Sequence, residues 1–180
     1  PDAEITYTLD GTEPSATNGL AYTPGATILV DQSRTLKAIA TASGHEPGSV
    51  LVRAYTLKVA TPAFSLPAGT TADSMFTVKL LSTTPGVTFH YTKDGSNPVV
   101  GVSPTATGEI LVDSIRTYKV IATKAGWSSS EAISAKFLAN IPISVFVGMG
   151  GSKVIRADGS LWSTGLAEGL ADGSVVDRTE

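Results

Sequence analysis

The sequence predicts an all-β fold built from tandem antiparallel β-sandwiches. Three observations support this class: an internal duplication, short segments in which apolar and polar residues alternate, and frequent turn residues, with 18 Gly and 10 Pro in 180 residues. No segment keeps the 3.6-residue apolar stripe of a helix. Charged residues make up only 16% of the chain, which disfavours both a helical bundle and a highly charged disordered tail.

An internal repeat organises the chain. The repeated segments are 7–14 (YTLDGTEP) with 91–98 (YTKDGSNP), 28–31 (ILVD) with 110–113 (ILVD), and 34–41 (RTLKAIAT) with 116–123 (RTYKVIAT). The offset is 84 residues before a variable loop (Asp10 to Asp94) and 82 after it (Arg34 to Arg116). A match of this length and order predicts a duplicated module of about 80 residues.

The repeat also predicts the domain boundaries. We expect a first module over residues 1–59, a second over 60–140, and a segment of different character over 141–180. The second copy carries a strand-like segment, 75–80 (MFTVKL), ahead of the shared motifs, whereas only four residues precede Ile5 in the first copy. The first module is therefore predicted to lack its opening strands and to start inside the module, and the second to be complete.

Strict alternation defines the predicted strands, because successive side chains of a strand point to opposite faces. The inward-facing residues are predicted to be Ile5, Tyr7, Leu9, Leu36, Ala38, Ala40, Leu51, Tyr55 and Leu57 in the first copy, and Phe76, Val78, Leu80, Val87, Phe89, Tyr91, Tyr118, Val120, Ala122, Ile133 and Phe137 in the second. Arg53 interrupts the last face of the first copy. His90 shares the outward face of its strand with Thr88 and Thr92, two positions before and after it, and is expected to face outward.

Two equivalent loops contain the pattern Asp-Gly-x-x-Pro. The residues that we expect to form structural turns there are Asp10, Gly11, Pro14, Asp94, Gly95 and Pro98. Gly accepts the positive φ that such turns need, the Asp side chain can accept hydrogen bonds from nearby backbone N–H groups, and Pro ends strand pairing. A calcium site is the alternative, to which Asp31 and Asp113 would add oxygens, but a site of this kind needs several converging ligands.

Catalytic and cofactor chemistry is not expected. The chain has no Cys and two His, of which His45 and His90 lie in different copies, so neither a metal site nor another cofactor is predicted. No pair of carboxylates or nucleophile–base arrangement is apparent. The serines at 128–130 lack the Gly-x-Ser-x-Gly setting of a nucleophile elbow. The sequence therefore predicts a protein that is not an enzyme.

Charge and hydropathy exclude two classes of partner. The net charge is −3 and no run of Lys or Arg occurs, which argues against nucleic-acid binding. The longest apolar runs, such as 28–30 and 145–147, are too short to span a bilayer.

Aromatic residues in loops are the remaining candidates for ligand binding. Sugar rings stack on flat apolar faces, so Trp127, beside Gly126 and a run of serines, and Tyr22 are the candidate carbohydrate-binding residues. The alternative for Trp127 is that it caps the edge of the core. Its counterpart in the first copy is His45, so the two copies do not share this feature.

The repeated motif carries a family resemblance. Tyr-Thr-x-Asp-Gly-x-x-Pro, followed by Leu-Lys-Ala-Ile-Ala or Tyr-Lys-Val-Ile-Ala and then Gly, resembles the chitobiase/β-hexosaminidase C-terminal domain family over about residues 1–139. The resemblance implies immunoglobulin-like, fibronectin-III-associated sandwich modules. It also implies an accessory domain of secreted and surface proteins that has no catalytic residues to carry over.

The tail resembles a different family. The segment 158–162 (DGSLW), followed by Gly165 and then 170–174 (LADGS), resembles a repeat of the regulator-of-chromosome-condensation type. The resemblance implies the start of a propeller blade, for which the 40 residues from Ile141 supply at most two or three of four strands. Lys153 stands where the family usually has His. Trp162 is expected to fill its own blade.

These inferences leave three hypotheses about function. The first is a non-catalytic spacer that presents neighbouring domains of a larger, secreted or cell-surface protein of bacterial type, with those domains as its partners. The second is a carbohydrate-binding module that acts through loop aromatics, with polysaccharide or cell-wall glycan as ligand, attached to a glycoside hydrolase or an adhesin. The third, an enzyme, lacks any grouped reactive residues.

Overall fold

The computed structural model describes residues 3–148 and 151–164, which form strands and turns without any helix. The prediction of an all-β fold is confirmed. The chain divides into a first unit, residues 1–59 with 123–130, and a second unit, residues 60–122 with 131–180. Across the described ranges, no helical segment of the length and apolarity needed to cross a membrane is present.

The first unit contains one antiparallel sheet of four strands. They are β1 (Glu4–Thr8), β2 (Leu20–Tyr22), β3 (Arg34–Thr41) and β4 (Leu51–Tyr55). Their order is β2-β1-β3-β4, with Tyr7 opposite Ala38 and Leu36 opposite Arg53. The described part of this unit therefore forms a single sheet layer.

The second unit contains two facing sheets and a small third one. Its strands are β5 (Ala63–Phe64), β6 (Thr71–Ala72), β7 (Phe76–Leu81), β8 (Thr88–Thr92), β9 (Thr105–Ala106), β10 (Glu109–Val112), β11 (Ile115–Thr123), β12 (Ile133–Ala139), β13 (Pro142–Gly148), β14 (Gly151–Arg156) and β15 (Leu161–Thr164). The sheet orders are β10-β7-β5, β6-β12-β11-β8-β9 and β13-β14-β15. β12 pairs antiparallel with β11 and parallel with β6. Strands β8, β9, β11 and β12 repeat the order of the first unit's sheet.

The core of the second unit lies around one aromatic residue. Phe137 is 0% exposed, and its ring lies 5.3 Å from that of Phe64, 6.3 Å from Phe76 and 6.0 Å from Tyr118. Phe64 and Phe76 come from the three-stranded sheet, so these contacts join the two layers. The buried Tyr118 hydroxyl donates to the carbonyl oxygen of Leu111 at 3.1 Å, which satisfies its polar group.

In the first unit, the sheet face that corresponds to the core face of the second unit is only partly covered. Leu36 is buried, but Tyr55, the counterpart of Phe137, is 43% exposed, and Ile5 and Leu51 are exposed too. Arg53 stands on this face and is exposed, donating to the carbonyl oxygen of Val52. The charged side chain is tolerated because no opposing layer in the described residues desolvates it.

An identical tetrapeptide has a different conformation in the two units. Residues 110–113 (ILVD) supply most of β10, which pairs with β7 so that Ile110 lies opposite Val78. Residues 28–31 (ILVD) form no strand in the first unit. The first unit has no counterpart of β7 among its described residues, so this segment lacks a partner strand.

The third sheet is a meander over residues 142–164 with a gap at 149–150. Asn140 joins it to the second sandwich, because its amide nitrogen lies 2.8 Å from the Asp158 carboxylate and its amide oxygen accepts from the Asp158 N–H. Arg156 bonds Asp73. The predicted motif residues Gly165, Leu170, Asp172 and Gly173 lie outside the described residues.

Two side-chain environments differ from the predictions. His90 was expected to face outward; it lies on the face of β8 opposite Phe89, but it is buried there, at 6% exposed. Trp162 was expected to fill its own blade but is 43% exposed, with the Arg156 guanidinium 4.9 Å from its ring. Three strands alone offer no opposing layer to bury the indole.

Candidate functional site

The two Asp-Gly loops have the same hydrogen-bonded geometry. In the first unit, Asp10 Oδ1 accepts from the backbone N–H of Thr12 at 3.0 Å and from its hydroxyl at 2.6 Å. In the second, Asp94 Oδ1 accepts from the N–H and hydroxyl of Ser96 at the same distances. These bonds to a residue two positions later close an Asx turn within each loop.

The glycine of each loop has the left-handed conformation that the turn requires. Gly11 and Gly95 both have φ of 80°, and a Cβ on Gly95 would lie 3.2 Å from Thr117 Cγ2. Pro14 and Pro98, which close the two motifs, are both buried. The second loop therefore packs closely against Thr117, whereas a Cβ on Gly11 would make an ordinary contact with Thr35 at 3.6 Å.

The carboxylate hydrogen bonds change the acidity of the turn residues. The hydroxyl and N–H of Thr12 lower the pKa of Asp10, and those of Ser96 lower the pKa of Asp94. A third turn of this kind joins β14 to β15, where Ser160 lowers the pKa of Asp158. All three carboxylates are thus held ionised by local donors.

A shallow groove of about 340 Å³ lies beside the second Asp-Gly loop. It is lined by Tyr91, Thr92, Lys93, Asp94, Ser96, Pro104 and Arg116. The groove combines one aromatic side chain with groups of both charges. Sequence reasoning missed it because its lining comes from β8, the following loops and β11, which are distant along the chain; the shared Tyr-Thr-x-Asp motif was the one available signal.

An ion-pair cluster forms the charged side of the groove. Lys93 Nζ lies 2.8 Å from Asp113 Oδ2, and Arg116 Nε lies 3.7 Å from Asp113 Oδ1. The hydrogen bond to Lys93 lowers the pKa of Asp113, and the same bond raises the pKa of Lys93. Leu9 replaces Lys93 in the first unit, where Arg34 pairs with Asp31 at 3.1 Å.

The Lys93–Asp113 pair gives a prediction for acid stability. Because the folded pKa of Asp113 is lowered, its contribution is present above the unfolded value of 3.8 and is lost as pH falls through the folded pKa. Both side chains are about one-third exposed, so we expect Asp113→Asn to cost less than about 1 kcal/mol at neutral pH. Urea unfolding at neutral pH and at about pH 2 measures this.

The two pH values test whether the stability difference between the wild type and Asp113→Asn comes from the charge of Asp113. Toward pH 2 the stability difference between the wild type and Asp113→Asn should shrink, because the Asp113 carboxyl takes up a proton as pH falls through its folded pKa. Asp31→Asn is the matched control in the first unit, which lacks the lysine. A stability difference for Asp113→Asn that persisted unchanged at about pH 2 would contradict the assigned ion pair.

The two candidate sugar-binding aromatics are half-buried and lie in the first unit. The Trp127 indole N–H donates to the carbonyl oxygen of Asp31 at 2.9 Å, and Lys124 Nζ lies 4.8 Å from the centre of its ring. Tyr22 ends β2, opposite Ile5 of β1. The structure does not bring the two aromatics into a shared cleft among the described residues.

Metal-binding geometry is not found in the part of the chain that the structure describes. Within residues 3–148 and 151–164, no three or more His, Cys, Asp or Glu side chains converge in a way that could hold an ion. His45 is exposed in a turn and His90 is buried in β8. Asp31 and Asp113, the additional ligands of the calcium alternative, bond Arg34 and Lys93 instead.

The facing sheets, their shared strand order and the repeated Asp-Gly turns define an immunoglobulin-like β-sandwich module. The chitobiase/beta-hexosaminidase C-terminal domain model matches residues 1–52 and 66–135, and the chain belongs to this family. The matched residues include both Asp-Gly turns and the groove. No curated protein is significantly similar to the chain in sequence.

The family match indicates a general role for the chain. Domains of this family are non-catalytic C-terminal accessory modules of glycoside hydrolases of the hexosaminidase type. The match ends at residue 135 and so does not cover the third sheet.

Proposed function

We propose that the chain is a non-catalytic accessory region of a larger secreted or cell-surface protein, in which it spaces or presents neighbouring domains. The observation that carries the proposal is the duplication of a domain whose family is accessory to glycoside hydrolases. The family typically occurs in extracellular bacterial glycoside hydrolases, which supports an extracellular location. The partners are other domains of the same polypeptide.

The polar groups of the repeated motifs support a structural role. Asp10 and Asp94 are hydrogen-bonded within their own turns, and Asp113 is paired with Lys93. Each of these carboxylates is a weak general base, because the hydrogen bonds that it accepts stabilise its charged form and lower its pKa. The motifs therefore serve the stability of each module.

We also propose that residues 141–180 begin a propeller-type repeat, so that one neighbouring domain is a β-propeller. The three-stranded meander fits three of the four strands of a blade. Phe146 and Val147 are exposed in it, which suits a blade that lacks neighbours. We expect the amides of β13 to exchange rapidly in this chain and more slowly in a longer chain that includes a complete blade. Equally slow exchange in the two chains would argue against the propeller proposal.

Carbohydrate binding is the second candidate function, favoured by the groove beside Tyr91. An aromatic side chain flanked by Lys93, Asp94 and Arg116 offers both a surface for a sugar ring and partners for its hydroxyls. The ligand would be a polysaccharide or cell-wall glycan. Trp127 and Tyr22 are alternative contacts, although the indole N–H of Trp127 is already bonded.

Sedimentation with insoluble chitin, cellulose and peptidoglycan separates the two functions. The spacer proposal expects the chain to stay in the supernatant, as does a control globular protein of similar charge. Retention that is lost on Tyr91→Ala or Arg116→Ala would replace it with carbohydrate binding at the groove. Retention that is lost instead on Trp127→Ala or Tyr22→Ala would place sugar binding on the loop aromatics.

A further inference from the structure

The first unit includes a loop that comes from the second copy of the repeat. Residues 123–130 belong to the first unit, whereas residues 115–122 of β11 and the whole of β12 belong to the second. Within the first unit this 123–130 loop bonds two short segments outside strands β1–β4, residues 31–33 and 57–59. The first unit is therefore built from both copies of the repeat.

Backbone hydrogen bonds hold the loop on both segments. The N–H of Ser33 donates to the carbonyl oxygen of Gly126 at 2.7 Å. The N–H of Ser128 donates to the carbonyl oxygen of Leu57 at 2.8 Å, and the N–H of Val59 donates to that of Ser128 at 3.0 Å. The two segments are also joined to each other, because the Leu57 N–H donates to the Ser33 hydroxyl at 3.0 Å. Three parts of the chain thus form one connected set of hydrogen bonds.

The side chain of Trp127 adds a further bond between the loop and the first segment. Its indole N–H donates to the carbonyl oxygen of Asp31 at 2.9 Å, and Lys124 Nζ lies 4.8 Å from the centre of its ring. Val59, which carries one of the backbone bonds, is 2% exposed. That bond lies away from bulk water, so breaking it would leave a buried N–H without its acceptor.

Gly126 lies closely against Gln32 of the first segment. It has φ of 76°, and a Cβ there would lie 2.6 Å from Gln32 Cβ. Its counterpart in the first copy, Gly44, has φ of 75°, but a Cβ there would meet no heavy atom of the described residues within 4 Å. The two glycines share one backbone requirement, and Gly126 alone of the pair is also required by a close contact.

The loop does not stand in for a strand of the sandwich. In the second unit the Asn140 N–H donates to the carbonyl oxygen of Ala72 of β6, and the counterpart of Asn140 in the first copy is Lys58. The loop bonds instead to Leu57 and Val59, the two residues that flank Lys58. Because the backbone groups of successive residues in an extended segment point to opposite sides, the loop and a β6-type strand would use different edges.

We propose that the 123–130 loop is an interaction element that closes the first unit, and that its partner surface is formed by residues 31–33 and 57–59 of the other copy of the repeat. Trp127 is a positioning residue of this element, since its indole N–H is committed to Asp31. The first unit then closes only after residue 130 has been synthesised, although the N-terminal part of a chain is made first. This inference goes beyond the proposed spacer role and does not depend on it.

The test uses the intact chain and compares Gly126→Ala with Gly44→Ala, because both place a Cβ on a left-handed backbone. We expect Gly126→Ala to speed the amide exchange of Ser33 and Val59, whose N–H groups donate to the loop. The acceleration should be at least about tenfold larger than in Gly44→Ala. The amides that pair β1 with β3 report whether the sheet remains folded.

A second pair of variants tests the side-chain bond without a change in backbone strain. Trp127→Phe keeps an aromatic ring and removes the indole N–H, so we expect it to speed the exchange of the Ser33 amide by about two- to tenfold. His45→Phe changes the counterpart of Trp127 in the first copy and is the control. It should leave the exchange of Ser33 unchanged.

Three outcomes would overturn the proposal. The first is wild-type exchange of Ser33 and Val59 in Gly126→Ala. The second is equal acceleration in Gly126→Ala and Gly44→Ala, which would trace the effect to backbone strain alone. The third is acceleration confined to β11 and β12, which would mean that the loop supports only its own hairpin. If Gly126→Ala does not fold, unchanged Ser33 exchange in Trp127→Phe contradicts the proposal by itself.

Discussion

Replacing Phe137 by alanine is expected to lower the free energy of unfolding of the second unit by about 3–5 kcal/mol. The side chain is fully buried and contacts rings of both facing sheets, at 5.3 Å (Phe64), 6.3 Å (Phe76) and 6.0 Å (Tyr118). Its removal loses the transfer free energy of the ring, leaves a cavity between the layers and breaks three aromatic contacts.

The counterpart in the first unit provides the control. Tyr55 occupies the same position of the repeat but is 43% exposed, so Tyr55→Ala is expected to cost only about 1 kcal/mol. Urea unfolding followed by hydrogen-exchange mass spectrometry assigns each effect to its unit, through peptides from β11 and β12 or from β3 and β4. Equal losses for the two variants would show that the first unit's sheet is also covered in solution.

Local patterns were sufficient to predict several of the longer strands, but not the short ones such as β2, β5, β6 and β9. Alternation in 76–80 and 118–122 marks β7 and β11, because a half-buried strand needs no information beyond its own residues. The Asp94 turn is likewise local, since its hydrogen bonds run to Ser96, two residues away. The duplication then placed equivalent strands in both copies.

Features that depend on distant partners could not be predicted. Trp127 bonds the carbonyl of Asp31, which lies 96 positions earlier in the chain. The groove joins Tyr91 to Arg116 across two strands. His90 follows the alternation of an outward-facing residue, yet it is buried. In each of these cases tertiary contacts determine the environment of the side chain, and no local pattern records them.

The two copies of the tetrapeptide ILVD, residues 28–31 and 110–113, show most directly that strand formation depends on the surrounding structure. One copy is in a strand and the other is not, although the four residues are identical. The apolar residues of β10 can be buried only because β7 pairs beside them and the five-stranded sheet lies opposite. Strand formation here is a property of the assembled layers, in keeping with the strong context dependence of β propensity.

The same substitution in both copies of this tetrapeptide should therefore have very different effects. Val112 is 0% exposed in β10, and an aspartate there would place an unpaired carboxylate between the two sheets. We expect Val112→Asp to cost about 4 kcal/mol or more, enough to unfold the second unit at neutral pH, given the marginal stability of small domains. Val30, in the other copy, is partly exposed, and Val30→Asp is expected to cost less than about 1 kcal/mol.

Circular dichroism and amide exchange of β7 and β10 measure this difference. Val112→Thr separates charge from shape: it keeps the branched side chain and replaces one methyl group by a hydroxyl, so it should cost about 1–3 kcal/mol and leave the unit folded. If Val112→Asp leaves β7 and β10 as protected as in the wild type, Val112 does not lie between packed sheets. If Val30→Asp unfolds the first unit, Val30 is buried in solution and its partly exposed position in the structure is wrong.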